Sequence, residues 1–327
     1  MRVLITGAGG FLGHALARSL IERGTVADSG GTQVKIEELV CLDMGPEPEP
    51  PIPGTKYVQA DLSSPGALAV ISEGVDVVFH LAAVVSGAAE ADFDLGMKVN
   101  FDATRSVLTR CRRLESKPRV VFASSVAVYG GRLPADAQGV LYVTDTTQPS
   151  PSSSYGTQKL MAELLVADMT RKGFVDGRIL RLPTVVVRPG TPNAAASSFC
   201  SSIVREPLRG VPANCPVQPT LPLWVQSPAQ AVQSLMHACD LPESDWENNR
   251  AVNLPGLVTT PAELIHAMGR AGGDMSLVNY EVDNNVASIV ATWPGYMVTE
   301  RALAMGFVQD KDVDSLVKQY VDSSETS

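Results

Sequence analysis

The amino-acid sequence predicts an α/β fold, a doubly wound parallel β-sheet with a smaller, irregular C-terminal lobe. In the first half of the chain, short apolar runs alternate with amphipathic stretches, as expected for buried parallel strands joined by helices on both faces. After residue 188, prolines interrupt the chain and this rhythm is lost. The 327 residues also exceed the usual size of one hydrophobic core. We therefore expect a main domain over residues 1–188 and a lobe over residues 189–327, some of whose segments return to the sheet.

Six apolar runs are the predicted strands, at residues 2–6, 38–43, 56–61, 76–82, 119–125 and 177–183. The predicted helices span residues 11–23, 65–73, 99–113, 155–171 and 194–205. A further helix follows Thr260 and ends near Ala271, because Pro261 suits the first helical position and Glu263 completes a capping box. Residues 24–38 and the proline-rich residues 44–56 are predicted to be insertions at the surface.

The composition restricts the class of partner. The formal charge is -9 and the basic residues are dispersed, which argues against a nucleic-acid or anionic-membrane partner and favours a small molecule. The five cysteines are widely spaced and form no metal-ligand pattern, so we expect reduced thiols and no metal. The chain opens on a strand and a turn, and no apolar stretch reaches the roughly 18 residues of a membrane span. A cytoplasmic protein is the simplest interpretation.

The stretch "TGAGGFLG" carries glycines at positions 7, 10 and 13, between an apolar strand and an amphipathic helix. Gly7 and Gly10 allow a tight turn and the close approach of a pyrophosphate, and Gly13 allows the helix to pack against the strand. A tight turn without a ligand would use the same residues. The position between strand and helix favours dinucleotide binding of the Rossmann type.

Further polar and small residues follow the predicted strands. Asp43 can accept hydrogen bonds from an adenosine ribose and would repel a 2'-phosphate, which favours NAD over NADP; a carboxylate that caps a turn is the alternative. Asp61 ends the third strand and could meet the adenine amino group. Leu81, Ala82 and Ala83 form a small-residue strand end over which a cofactor can lie, although simple packing would use the same residues. His80 is interpreted as a core histidine, because no second metal ligand accompanies it.

The stretch "SYGTQK" places Tyr155 and Lys159 four residues apart, on one face of a predicted helix. The ammonium group of Lys159 would lower the phenol pKa from about 10, which makes Tyr155 a usable base near neutral pH. Ser124 and Ser125 end the fifth predicted strand, at the carboxyl edge where ligands of such sheets bind. A serine hydroxyl there can orient a substrate oxygen beside Tyr155.

Five motifs in order, "TGAGGFLG", "HLAA", "VNFDAT", "SSVAVYG" and "YGTQK", resemble an extended short-chain dehydrogenase/reductase of the NAD-dependent epimerase/dehydratase type. The resemblance implies a catalytic triad of Ser125, Tyr155 and Lys159, and it matches Asn100 to the residue that supports the active-site helix. It implies the cofactor NAD. The cofactor-binding residues predicted from the motifs and the resemblance are Gly7, Gly10, Phe11, Leu12, Asp43, Asp61, Leu62, Leu81, Ala82, Ala83, Asn100, Tyr155, Lys159 and Pro183.

Two stretches of the predicted lobe bear on the substrate. Relatives that process sugar nucleotides usually carry an Asn after the sixth strand, where this chain has Thr184. The stretch "LPTVVVRPG-x-PN-x-AASSF" and "REPLRG" resemble a branch that oxidises the C2 hydroxyl of a four-carbon sugar acid with NAD. The predicted substrate-binding residues are Ser86, Ser125, Tyr155, Thr184, Ser197, Ser198 and Arg205. Arg205 could pair a carboxylate through two hydrogen bonds or be a solvated helix-end residue, and both serines could belong to a polar helix face.

Two other functions stay open at this point. A sugar-nucleotide 4-epimerase or dehydratase would retain its NAD and recycle the hydride. A non-catalytic NAD-sensing regulator would need the glycine loop but not the base, so an intact triad argues against it. Relatives often dimerise through the helices that correspond to residues 99–113 and 155–171, which makes a homodimer one arrangement, although an apolar face on each helix would also pack against the sheet.

Overall fold

The computed structural model describes residues 1–72 and 74–325, and its centre is a seven-stranded sheet in which all neighbours are parallel. Its strands are β1 (Arg2–Thr6), β2 (Glu38–Asp43), β3 (Thr55–Gln59), β4 (Val77–His80), β5 (Arg119–Ser125), β6 (Asp176–Leu182) and β7 (Ala251–Asn253). They are ordered β3-β2-β1-β4-β5-β6-β7, so the winding direction reverses between β1 and β4. This reversal opens a crevice at the carboxyl ends of the strands.

The described α-helices are α1 (Phe11–Arg23), α2 (Ala69–Ser72), α3 (Ser86–Ala91), α4 (Phe93–Gly96), α5 (Thr104–Cys111), α6 (Ser154–Arg171), α7 (Ser198–Leu208), α8 (Pro228–Asp240), α9 (Pro261–Arg270), α10 (Asn284–Val290), α11 (Glu300–Ala304) and α12 (Val313–Glu325). A π-helical segment, Met97–Ala103, joins α4 to α5. Short 3-10 helices span Pro65–Leu68, Val126–Val128, Glu243–Trp246 and Met275–Leu277.

The sheet is covered on both faces, which confirms the predicted doubly wound fold. One apolar cluster packs α1 and α8 on the sheet and includes Leu16, Leu20 and Leu235. The cluster on the opposite face includes Val107 of α5 and Val166 of α6. Strands β1, β2 and β5 and helix α1 have the predicted bounds. The sequence pattern was sufficient here because strands buried on both faces are continuous apolar runs.

Three of the predicted helices differ from the structure. The helix predicted over residues 65–73 is a 3-10 turn followed by α2, and residue 73 lies outside the described part of the chain. The helix predicted over residues 99–113 is π-helical at its start and ends at Cys111. The helix predicted from residue 194 begins only at Ser198, because the Asn193 side chain accepts the Ala195 N–H at 3.0 Å and holds a turn instead. The capping box of Thr260 and Glu263 is present as predicted.

The C-terminal part of the chain forms a third apolar cluster that packs α7, α9 and α12, with Phe199, Leu264 and Leu316 among its members. Beside it lies a three-stranded sheet of Thr184–Val185, Leu223–Gln226 and Leu257–Thr259. Three two-stranded ladders pair Ala213–Asn214 with Val278–Asn279, Tyr142–Val143 with Tyr296–Met297, and Thr25–Ala27 with Gln33–Lys35. Segments of residues 189–327 also return to the central sheet as β7 and α8.

The predicted insertion at residues 24–38 is an antiparallel hairpin fixed to the amino-terminal edge of the sheet. Arg119, the first residue of β5, donates hydrogen bonds to the carbonyl oxygens of Ala27 at 2.6 Å and Cys239 at 2.7 Å. Asp176, the first residue of β6, forms ion pairs with Arg119 at 3.2 Å and Arg178 at 2.7 Å. Val26 and Ala27 are fully buried, whereas the tip and the second strand of the hairpin are partly buried or exposed, so only its first strand joins the core.

None of the described helices is long and apolar enough to cross a membrane. All five cysteines are buried free thiols. Within residues 1–72 and 74–325, no group of three or more His, Cys, Asp or Glu side chains is arranged to hold a metal ion.

Candidate active site

A cavity of about 300 Å³ opens at the carboxyl edge of the sheet, at the point where the strand order reverses. The glycine loop, the ends of β4, β5 and β6, and the first turns of α6 form its walls. Thirteen of the predicted site residues line it: Gly7, Gly10, Phe11, Leu12, Leu81, Ala83, Ser86, Ser125, Tyr155, Lys159, Pro183, Thr184 and Ser197. The structure therefore brings the predicted cofactor loop, the predicted triad and part of the predicted substrate set into one space.

The glycine loop turns directly from β1 into α1. Gly7 has a φ of +74°, and a Cβ atom there would lie 2.7 Å from the backbone nitrogen of Ala82. A Cβ atom on Gly13 would overlap the carbonyl oxygen of Gly7. Side chains at these two positions would force α1 and the loop away from the sheet. Gly10, Phe11, Leu12 and Gly13 line the cavity, so the start of α1, where anions bind to helix termini, borders it.

Asp43 ends β2 beside this loop. Its carboxylate accepts the N–H of Gly9 at 3.0 Å and the N–H of Gly45 at 2.9 Å. Asp61 is exposed, and its carboxylate accepts hydrogen bonds from the backbone and the hydroxyl of Ser63 at 2.8 and 2.6 Å. These bonds lower the pKa of the Asp61 carboxyl group. The side chain of Leu62 is buried in the core, and none of Asp43, Asp61 and Leu62 lines the cavity.

The three residues of the predicted triad face the cavity from two elements. Ser125 is the last residue of β5, and its hydroxyl accepts the Ala127 N–H at 3.1 Å. Tyr155 lies in the first turn of α6, a helix capped by the Ser153 hydroxyl. Lys159 lies one turn further on, with its Nζ atom 5.8 Å from the centroid of the Tyr155 ring. Its ammonium group donates a hydrogen bond to the Ala123 carbonyl oxygen at 2.9 Å, which holds it against the end of β5.

Burial dominates the electrostatics of this pair. It raises the pKa of Tyr155 to about 12, while the charge of Arg188 and a hydrogen bond from Ser125 act to lower it. Burial lowers the pKa of Lys159 to about 8, and the carboxylate of Glu163 opposes that decrease. The sequence interpretation gave Lys159 the role of lowering the phenol pKa, whereas in the structure the cation with this effect is Arg188.

Two buried networks hold the triad from behind. The Asn100 amide accepts the Val84 N–H at 2.8 Å and donates to Gln158 of α6 at 2.8 Å, so it joins the loop after β4 to the active-site helix. Asn100 does not line the cavity, but the two segments that it joins, the loop after β4 and helix α6, both do. Glu163 accepts a 2.5 Å hydrogen bond from Ser124 and forms an ion pair with Arg181 at 2.7 Å. The helix that carries Tyr155 and Lys159 is thereby fixed to β5 and β6.

The predicted substrate residues divide into two groups. Ser86, Thr184 and Ser197 line the cavity, with the Ser86 hydroxyl accepting the Ala196 N–H at 3.0 Å. Ser198 does not line it, and its hydroxyl accepts the Asn193 N–H at 3.1 Å. Of the predicted cofactor residues, Ala82 also lies outside the lining.

Arg205 also lies outside the cavity lining, which corrects its predicted position in the substrate site. Its side chain is about 1% exposed, donates to the Arg188 carbonyl oxygen at 2.7 Å, and pairs with Glu206 at 2.6 Å. The arginine that does line the cavity is Arg188, which the sequence analysis did not single out. Its only signal in the sequence is a charged residue directly after the apolar run "TVVV".

The fold and the position of the cavity define an α/β protein of the Rossmann type, with its site at the topological switch point. The chain belongs to the NAD dependent epimerase/dehydratase family, whose model matches residues 3–241. This match confirms the family predicted from the five ordered motifs.

Individual relatives cover almost the whole chain. It is 50% identical to a D-erythronate dehydrogenase of Cupriavidus necator over 327 residues, which is 99% of both chains. A D-erythronate dehydrogenase of Haemophilus influenzae is 40% identical over 98% of this chain and 99% of its own. Among solved structures, a nucleoside-diphosphate-sugar epimerase from Agrobacterium tumefaciens superposes with a TM-score of 0.87 at 35% identity, covering 98% of this chain and 94% of its own.

Proposed function

We propose that this protein oxidises the C2 hydroxyl of D-erythronate to 2-dehydro-D-erythronate with NAD. The observation that carries the reaction type is the placement of Ser125, Tyr155 and Lys159 in one cavity with the glycine loop. The substrate is supported by full-length relatives named D-erythronate dehydrogenase at 50% and 40% identity.

The residues at the carboxyl edge fit a dinucleotide whose adenosine ribose has free 2'- and 3'-hydroxyls. Gly7, Gly10 and Gly13 leave no side chain between the start of α1 and the cavity, which suits a pyrophosphate. The Asp43 carboxylate lies beside the loop, where it would accept hydrogen bonds from the adenosine ribose and disfavour a 2'-phosphate. Lys159 and Tyr155 would contact the ribose of the nicotinamide half. When bound, NAD supplies the acceptor for the hydride that leaves C2.

The residues of this chain act on the proton and the oxygen of the C2 hydroxyl. Ser125 donates a hydrogen bond to that oxygen and fixes it at the Tyr155 hydroxyl. Tyr155, as phenolate, accepts the hydroxyl proton as the C2–H bond breaks. Its intrinsic pKa is high because the site is buried, so the positive charges of Arg188 and of the bound cofactor are needed to make the phenolate available. The carbonyl that forms at C2 stays within reach of the Ser125 hydroxyl.

The named function of the Agrobacterium relative supports a second candidate, a sugar-nucleotide epimerase. Such an enzyme returns the hydride to its substrate and releases no reduced cofactor. The two candidates therefore differ in their products as well as in their substrates.

The test is NADH formation at 340 nm by the purified full-length protein. D-Erythronate is compared with other four- to six-carbon aldonates and uronates and with UDP- and dTDP-sugars. Steady NADH formation with D-erythronate, and less with the other compounds, is the expected result. If no acid yields NADH and an isomerised or dehydrated sugar nucleotide is found among the products, the protein is a sugar-nucleotide epimerase or dehydratase.

Tyr155→Phe tests the base. Removal of one general base typically costs a factor of 10² to 10⁴, so we expect kcat to fall about 10³-fold while the Kd of NAD is nearly unchanged. Tyr280→Phe, at a tyrosine that is about half exposed and outside the cavity lining, is the matched control and should retain full activity. A Tyr155→Phe enzyme with most of its activity would remove Tyr155 from the base role.

A further inference from the structure

Arg188 is held in the cavity by its own backbone and by two side-chain hydrogen bonds. Its N–H donates to the Ser201 hydroxyl at 3.0 Å, and its carbonyl oxygen accepts from Arg205 at 2.7 Å. The guanidinium group donates through Nε to the Val185 carbonyl oxygen at 3.0 Å and through Nη2 to the Ser197 hydroxyl at 2.8 Å. These bonds fix the plane of the guanidinium group on the wall of the cavity that also contains Tyr155.

Arg188 is partly buried, and its charge environment differs from that of three fully buried arginines. Arg119, Arg178 and Arg205 are each 5% exposed or less, and each forms an ion pair with a carboxylate. Arg188 forms no ion pair with any carboxylate in residues 1–72 and 74–325. Its hydrogen bonds go to neutral oxygens and leave Nη1 without a protein acceptor among those residues.

A guanidinium group without a carboxylate partner in a cavity wall is costly and electrostatically active, even though its Cζ atom lies 5.8 Å from the centroid of the Phe11 ring. Burial lowers the pKa of Arg188, yet a guanidinium group keeps its proton at any physiological pH. The charge therefore persists, and it acts on the Tyr155 phenol. A charge desolvated in this way favours an anion that brings two acceptor oxygens, because charge-assisted bidentate pairs are the strongest hydrogen bonds available to an arginine.

The chemistry of the reaction requires an anion near this position. In a 2-hydroxy acid, the carboxylate carbon is bonded directly to the carbon whose hydroxyl loses its proton. A residue that binds this carboxylate must therefore line the same cavity as Tyr155. Arg188 meets that condition, whereas the Arg205 guanidinium group is already occupied by Glu206 and by the Arg188 backbone.

We infer that Arg188 binds the substrate carboxylate and restricts the enzyme to 2-hydroxy acids, with Ser197 orienting its guanidinium group; this inference rests on the proposed function. Arg188 then has two effects in the site. It fixes the substrate with C2 at the base, and its charge lowers the pKa of that base.

The test compares D-erythronate with its neutral amide, D-erythronamide, which keeps the C2 hydroxyl and loses the charge. In Arg188→Met, kcat/KM for D-erythronate should fall about 100-fold or more, the usual consequence of removing one partner of a buried charge pair. The variant should also oxidise both substrates more slowly, because the pKa of Tyr155 rises when the cation is lost. The ratio of kcat/KM for acid over amide isolates carboxylate recognition, and it should fall from at least about 100 to near one. Arg18→Met, which removes an exposed cation, is the control and should leave the ratio unchanged.

Two further variants keep the test decisive if Arg188→Met misfolds. Arg188→Lys keeps the charge but loses the two-pronged geometry, so it should retain a preference for the acid with about 10-fold lower kcat/KM. Ser197→Ala should raise KM for the acid several-fold more than it raises KM for the amide.

Each outcome decides the inference. If the wild type oxidises D-erythronate and the ratio of kcat/KM for acid over amide is unchanged in Arg188→Met, Arg188 does not bind the carboxylate. The proposed function is unaffected by that result. A loss of NAD affinity equal to the loss of kcat/KM would assign the guanidinium group to a cofactor phosphate instead, so the Kd of NAD is measured for every variant. A wild-type protein that oxidises no sugar acid overturns the proposed function and this inference together.

Discussion

Acidification should destabilise this protein through His80, a buried residue behind the candidate active site. His80 is about 1% exposed and ends β4 between two threonine hydroxyls. Thr104 donates its hydroxyl hydrogen to the Asn100 carbonyl oxygen at 2.8 Å, so it must accept from His80 Nε2 at 2.8 Å. Nδ1 is then the acceptor for the Thr6 hydroxyl at 2.6 Å. This chain of hydrogen bonds requires a neutral imidazole.

The size of the effect follows from the pKa of the ring. Burial, with a smaller contribution from the charge of Lys159, lowers the pKa of His80 from 6.5 to about 3. Between these values the folded protein binds fewer protons than the unfolded chain, so the free energy of unfolding falls as the pH falls through that window. Each pH unit is worth about 1.4 kcal/mol, and pH 5 lies about 1.5 units below the unfolded pKa. His80 should therefore remove about 2 kcal/mol of stability at pH 5.

Urea unfolding at pH 7 and pH 5 measures this contribution when wild type is compared with His80→Gln. Glutamine retains one donor and one acceptor but does not titrate, so carboxylate effects common to both proteins cancel in the difference. We expect the wild type to lose about 2 kcal/mol more than the variant between the two pH values. Equal losses would show that His80 is either charged in the folded state or able to reach solvent, and would refute the assignment of the neutral ring.

Two predictions concern the cofactor loop. Asp43→Ala should raise the Kd of NAD about 10-fold and reduce the ratio of the NADP Kd to the NAD Kd. An unchanged ratio would show that this carboxylate does not bind the adenosine ribose. Gly13→Ala should cost about 3 kcal/mol in urea unfolding and abolish NAD binding, because the added methyl group meets a backbone carbonyl that cannot rotate away. Gly66→Ala, with open space around the added methyl group, is its control, and equal stability of the two variants would contradict the packing argument.

The sequence was most informative where local patterns are continuous. Most of the main strands could be located because each contains a run of three or four apolar residues, and the glycine loop because it lies between one such run and one helix. The three-residue strand Ala251–Asn253 and the short ladders of the C-terminal lobe were missed. Elements of two or three residues carry too little periodicity to distinguish them from loops, and long-range pairing creates them.

The substrate-binding residues show a second limit of prediction from sequence. The sequence analysis proposed Arg205 as a carboxylate-binding residue and did not single out Arg188, although both lie in one stretch. Helix α7 begins four residues later than predicted, and its Arg205 side chain turns inward to Glu206. Which arginine faces a cavity depends on that tertiary packing. The homodimer stays a prediction, and Leu164 of α6, at 65% exposure, is a residue that such an interface would cover.

The hairpin at residues 25–35 and the carboxyl-terminal end of α8 are joined by Arg119 and Asp176 at the amino-terminal edge of the sheet, whereas Ser125 lies at the other end of β5. The seven residues of β5, about 20 Å, separate this hydrogen-bonded edge from the candidate active site. An affinity tag or a fluorophore attached at the exposed tip, near Gly30, would therefore allow the enzyme to be immobilised or labelled without blocking the catalytic cavity. The same separation leaves an exposed hairpin tip that can carry a label, at the opposite end of the sheet from the catalytic cavity.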